Sequence, residues 1–380
     1  KDVKIRNEAL RIVNKMLLGS IPKPRFISVF FSGKNTRSLN DGEPRGHRNE
    51  SEDVFFSRIV EQNINEPEII IEVLIIIGLF LKSPSCFKGI VGQNETRKAS
   101  IIQAFKLCFQ SKDAIISLYS MKLVYAFLNN KTSFPMFSNL IIDVIHALDN
   151  PSNEVKEIAA YCLMMIIHKN QKFNLTIYGD NTSELYGKIG AFLTQSLKSD
   201  SSLRSASLRL CGVISTTMEG ALMLENEHIT QIIANIATTE KSLDSKLAIM
   251  VIASHSAFMP NSENEISIMQ QLFKMLDDPE MSPYQLIAIS NLSINPSAAK
   301  ECIKPMERLV RLLDTNDEAT LNRTLTTFHR ILKTPEAVEK ISHIREEHIK
   351  KFQGILGRLI EKTKDFWGTA LGPISIDIIE

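Results

Sequence analysis

One pattern returns about every forty residues and constrains this chain more than any other feature: an apolar helix end, a short polar loop, then a second apolar helix. It is clearest at Ala147-Leu148-Asp149-Asn150-Pro151, at Leu276-Asp277-Asp278-Pro279 and at Leu312-Leu313-Asp314-Thr315-Asn316-Asp317. With Cys108, Leu148, Leu197, Ile236, Leu276 and Leu313 as landmarks, successive steps are 40, 49, 39, 40 and 37 residues. A helical unit of that length cannot bury its apolar faces alone and must stack on its neighbours, which is the logic of a solenoid. The expected fold is therefore all-α, a right-handed superhelical solenoid of about 6–8 repeats.

Breakers fall where joints between helices belong, among them Pro67, Pro135, Pro151, Pro260, Pro279, Pro296 and Pro335, and no period-two segment of useful length interrupts them. Three regions follow. Residues 1–53 read as an N-terminal capping helix followed by a flexible loop at 32–53, whose Gly, Asn, Ser, Arg and Glu content cannot form a core. Residues 54–365 read as the repeat array, with an insertion of about nine residues near 169–183 where the step lengthens. Residues 366–380 read as a tail, and its Ile376-Asp377-Ile378-Ile379-Glu380 end resembles a SUMO-interacting motif, a β-prone strand able to add to a partner sheet. The most apolar stretch, 69–81, carries Glu72 and falls short of the roughly 20 residues that a membrane span needs. It reads as a helix buried nearly all round.

Lys plus Arg total 44 and Asp plus Glu 43, so a net charge of +1 offers no global attraction to nucleic acid or an anionic membrane. Nucleic-acid binding by a helical-repeat surface would need a concentrated basic face, and the balanced composition argues against it. The five cysteines show no pairing rhythm, and Cys108, Cys162 and Cys211 sit in apolar runs. They read as reduced core thiols, which places the protein in the cytoplasm or nucleus. A chain that opens on Lys1 reads as a piece of a longer protein.

The segment Leu-Ile-Ala-Ile-Ser-Asn-Leu-Ser-Ile at 286–294 resembles the third helix of an armadillo repeat, and residues 304–313 resemble the helix that opens the next unit. The resemblance to armadillo/HEAT repeats covers about residues 60–335. Armadillo proteins that clamp extended peptides carry Trp and Asn on successive third helices; here Asn291 fills one such place, with Ile287 where the Trp would be. The sequence alignment puts Cys162, Gly212, Val251 and Thr327 at the equivalents of Asn291, so the amide ladder is missing. The resemblance implies a groove that holds another protein, as a helix, an acidic peptide or a folded domain. Cations recur at the joints, and the candidate groove residues are Asn291, Thr327, Arg323, Arg330 and Arg209.

Chemistry is not legible. There is no phosphate loop, no Cys-x-x-Cys and no Gly-x-Ser-x-Gly, and His343 and His348 do not have the spacing of a zinc pair. The expectation is a non-catalytic scaffold or adaptor without cofactor, metal or small-molecule substrate. A second reading is a regulatory module of a cytoskeletal protein, like the armadillo-like region of a formin that binds a small GTPase and an autoinhibitory helix.

Overall fold

The computed structural model describes residues 55–82, 95–170, 182–199, 202–239, 242–259, 265–276, 282–303, 305–312 and 317–334. The expected capping helix and 32–53 loop, the tail, His343, His348 and nearly all of the 169–183 insertion lie outside them. Among the described residues every regular element is helical and none is a strand. The chain divides into two compact units, with the described residues up to Phe192 in one and those from Leu193 in the other.

Among the described residues the first unit begins with α1 (Phe55–Asn63) and α2 (Pro67–Lys82), the apolar stretch expected to be a buried helix. Then come α3 (Glu95–Phe109), α4 (Ala114–Asn129), the single turn α5 (Phe134–Phe137), α6 (Ile141–Ala147), α7 (Asn153–Asn170) and most of α8 (Thr182–Ser196). Helices α2, α4 and α7 stack side by side as one layer, while α1, α3 and α6 form the other. Ile69, Ile70, Val73, Leu74, Ile76 and Ile77 are all buried, and the other positions from 71 to 79 are at most half-exposed, which is why the sequence there shows almost no polar face. Between the layers, Phe105, Phe127 and Phe137 form a ring cluster, with Phe105 edge-on to Phe137 at 5.3 Å and Phe127 stacked on Phe137 at 4.7 Å.

The second unit repeats the plan. Its third-helix layer is α9 (Ser202–Ile214), α12 (Leu243–Phe258), α14 (Ser282–Leu292) and α17 (Glu318–Leu332). Behind it lie α11 (Ile229–Thr239), α13 (Glu265–Met275) and α16 (Met306–Leu312), and the short α10 (Met218–Asn226) and α15 (Pro296–Glu301) turn the chain between layers.

Local chemistry fixes where the helices start. The Asp113 carboxylate accepts from the amides of Ile115 and Ile116 at 2.8 and 3.3 Å. Ser242 caps α12 through the Ser245 amide at 3.3 Å, and Asp317 caps α17 through the Thr320 amide at 2.8 Å. Each satisfies a backbone donor that the first turn leaves without an intrahelical acceptor.

The ends of the helices explain the cations at the joints. Lys169 donates to the Leu128 carbonyl, Arg308 to that of Phe273, and Arg330 to that of Ser290. All three acceptors lie in the last turn of a helix in the neighbouring repeat, where carbonyls have no intrahelical donor and the helix dipole is negative. These three cations thus fasten helices of neighbouring repeats to one another, at sequence separations of 41, 35 and 40 residues.

Candidate protein-binding face

The burial pattern sets the register of the third helices in the second unit. Exposed or half-exposed positions recur at Arg209 and Gly212 on α9, at Leu247, Met250, Ser254 and Ala257 on α12, at Tyr284, Ile287, Asn291 and Ile294 on or just after α14, and at Arg323, Thr326, Arg330 and Lys333 on or just after α17. The spacing in each set is that of one helix face. Matching the sets aligns Arg209, Leu247, Tyr284 and Arg323 as one row across the four helices, and Gly212, Met250, Ile287 and Thr326 as the next. The Lys246 ammonium, 5.7 Å from the centre of the Tyr284 ring, ties α12 to α14 at the level of the first row.

The middle of this face is apolar. Leu243 is 59% exposed, Ile294 44%, Met250 38% and Tyr284 36%. Its two sides are cationic, with Arg209 exposed on α9 and Arg323 and Lys333 on the α17 side.

The five expected groove residues fare differently. Arg209, Asn291, Arg323 and Arg330 stand in the matched rows. The Asn291 amide is already engaged, donating to the Ala253 carbonyl at 2.7 Å across the α12–α14 joint. Arg330 is half-buried, its guanidinium is held by Ser290, and burial lowers its pKa from the usual arginine range. Thr327 is fully buried, with its hydroxyl donating to the Arg323 carbonyl at 2.8 Å, and presents nothing to a partner. Val251 is buried like Thr327, and the residues whose exposure and spacing match those of Asn291 are Ser254 and Arg330.

The exposed apolar residues Leu243, Met250, Tyr284 and Ile294 were missed. Their signal was that α12 and α14 are apolar nearly all round, more than a helix in an outer layer needs. The first unit carries an analogous face, with Ile115 57% and Tyr119 40% exposed on α4. There the rings of Tyr125 and Tyr161 meet at 6.1 Å between α4 and α7.

Other polar sites look structural. In the first unit a cleft of about 390 Å³ is lined by Gln110, Asp143, His146, Asp149 and Asn150, but Lys106 lies 3.4 Å from Asp143 and Lys188 lies 2.9 Å from Asp149. The thiols of Cys108, Cys162, Cys211 and Cys302 are buried, which pushes Cys108 up to about 12 and the others higher still and keeps them protonated. No group of three or more His, Cys, Asp or Glu side chains among the described residues is placed to hold a metal, and no described helix is long and apolar enough to cross a membrane.

His255 lies beneath the face, with Nε2 3.4 Å from the Glu225 carboxylate, which also accepts from the Thr230 hydroxyl at 3.1 Å. Burial lowers its pKa below the usual histidine value; Glu225 and the Ala221 backbone pull the other way without winning. Below that pH the unfolded chain takes up a proton that the folded chain resists, so the His255 contribution to stability is full above about 6.5 and is lost on acidification. The urea midpoint of the wild-type chain is expected to fall between pH 7.5 and 5.5 by more than that of His255→Gln. Equal falls would remove His255 from the linkage.

Comparisons agree on architecture. No family model matches the chain, and no curated protein does. Among solved structures, an engineered protein from the Northeast Structural Genomics Consortium is similar at TM-score 0.63 and 14% identity, over 100% of this chain and 95% of its own. A second engineered protein from the same consortium gives 0.50 and 16%, over 60% and 98%. A designed armadillo repeat protein gives 0.48 and 16%, again over 60% and 98%. With the stacked units of about forty residues, the first two likenesses identify the fold as an all-helical solenoid.

Proposed function

We propose that the chain is a non-catalytic protein–protein interaction scaffold, an adaptor that holds a partner helix, peptide or folded domain against the exposed faces of its third helices. The observation that carries this reading is the run of Leu243, Met250, Tyr284 and Ile294 across adjacent helices, where an outer layer would ordinarily end in polar side chains. Apolar residues at the centre and charges at the edge is the anatomy of a protein interface. The proposed contact residues are Arg209, Asn291, Arg323 and Arg330 with these four, while Thr327 supports them from beneath. Photo-crosslinking from position 250, with position 222 on α10 as the control, tests the reading in cell extract.

A further inference from the structure

Resting on that reading, we infer that the face of the second unit takes an amphipathic α-helix with acidic residues toward both ends, lying across α9, α12, α14 and α17, rather than an extended peptide.

The first argument is hydrogen bonding. An extended backbone laid on a surface loses water from its amides and carbonyls and needs side-chain partners in return. Along the centre of this face, on α12 and α14, stand Leu247, Met250 and Ile287, with Ser254 and Tyr284 the polar-tipped exceptions, and the Asn291 amide already donates to Ala253 at 2.7 Å. A helix brings its backbone bonds with it and asks only for apolar contact.

The second argument is charge. Arg209 is exposed at one edge of the first row and Arg323 stands at the other, with Lys333 exposed further along α17's side and Leu247 and Tyr284 between. Four helices packed about 8–10 Å apart separate the two edges by roughly 24–30 Å. At about 1.5 Å per residue that distance is some 16–20 residues of helix, which sets the spacing of the acids. The exposed length of α12 is roughly 22 Å. The face then offers on the order of 600 Å², near the ~800 Å² per partner of a standard interface.

The test is a display selection on the full chain with random 20-residue peptides, repeated on Arg209→Glu/Arg323→Glu and on Met250→Glu, with folding of each variant checked by circular dichroism. The expected winners are acidic, carry apolar residues at i, i+3, i+4 and i+7, bind at least tenfold more weakly to either variant, and lose binding when proline is placed mid-sequence. Winners that are basic, or that tolerate the proline, overturn the helix while leaving the binding face in place. Winners that bind both variants like wild type overturn the face as well.

Discussion

Replacing Phe105 with alanine is expected to destabilise the first unit by about 4 kcal/mol, roughly a thousandfold in its folding equilibrium. Phe105 is fully buried and meets three other rings, Phe109 at 6.4 Å, Phe127 at 6.2 Å and Phe137 at 5.3 Å. These rings come from α3, α4 and α5, so the cavity opens where both layers and the connecting turn meet. The loss combines the transfer energy of the ring with two edge-to-face contacts that no neighbour can replace. With a urea dependence of about 2 kcal/mol/M, the midpoint of the first unit falls by about 2 M. Hydrogen exchange read by mass spectrometry locates the effect: amides of α3 and α4 lose protection, while those of α12 and α14 keep theirs, because each repeat packs on its neighbours alone.

Gly220→Ala is the second large effect, expected to cost about 3 kcal/mol. Here α10 crosses the end of α9 so closely that a Cβ at Gly220 would fall inside the Ile214 carbonyl oxygen and 2.7 Å from its Cγ2. That carbonyl cannot easily move, since it accepts from the Thr217 amide at 3.3 Å and the Thr217 hydroxyl at 3.1 Å. The same Thr217 hydroxyl caps α10 through the Gly220 amide at 3.2 Å, so a methyl group disturbs the cap and the joint together. Gly212→Ala is the control: its Cβ would sit 3.8 Å from Val251, an ordinary contact, and alanine in a helix interior favours folding by about 1 kcal/mol. Urea titrations of the two variants should therefore move the midpoint in opposite directions. A shared direction would mean that the α9–α10 crossing is looser than its geometry.

Period was legible in the sequence and phase was not. Steps of 37 to 40 residues, with one of 49, identify the stacking because every unit must solve the same burial problem, and the landmarks Cys108, Leu148, Leu197, Ile236 and Leu276 are all buried. The rotation of each helix about its axis is another matter. In α12 and α14 apolar residues surround the helix, so periodicity cannot say which side faces out. That is why Val251 and Thr327 were matched to Asn291 although both are buried, and why Met250 and Tyr284 were not named as exposed. The cations were visible but ambiguous. Arg330 and Lys169 turn out to fasten helix ends, whereas Arg209 is exposed to solvent. Nothing in a linear spacing separates a cation that reaches a carbonyl some forty residues away from one that awaits a partner.

The claim that the third-helix face is where partners bind is tested most directly by photo-crosslinking. A photoreactive amino acid replaces Met250, 38% exposed on α12, or Leu222, 41% exposed on α10, and the chain is irradiated in cell extract. The account predicts a discrete protein adduct from position 250, abolished by Arg209→Glu/Arg323→Glu, and none from position 222. Adducts from 222 with none from 250 would contradict it and place the binding surface on the helices that turn the chain between layers.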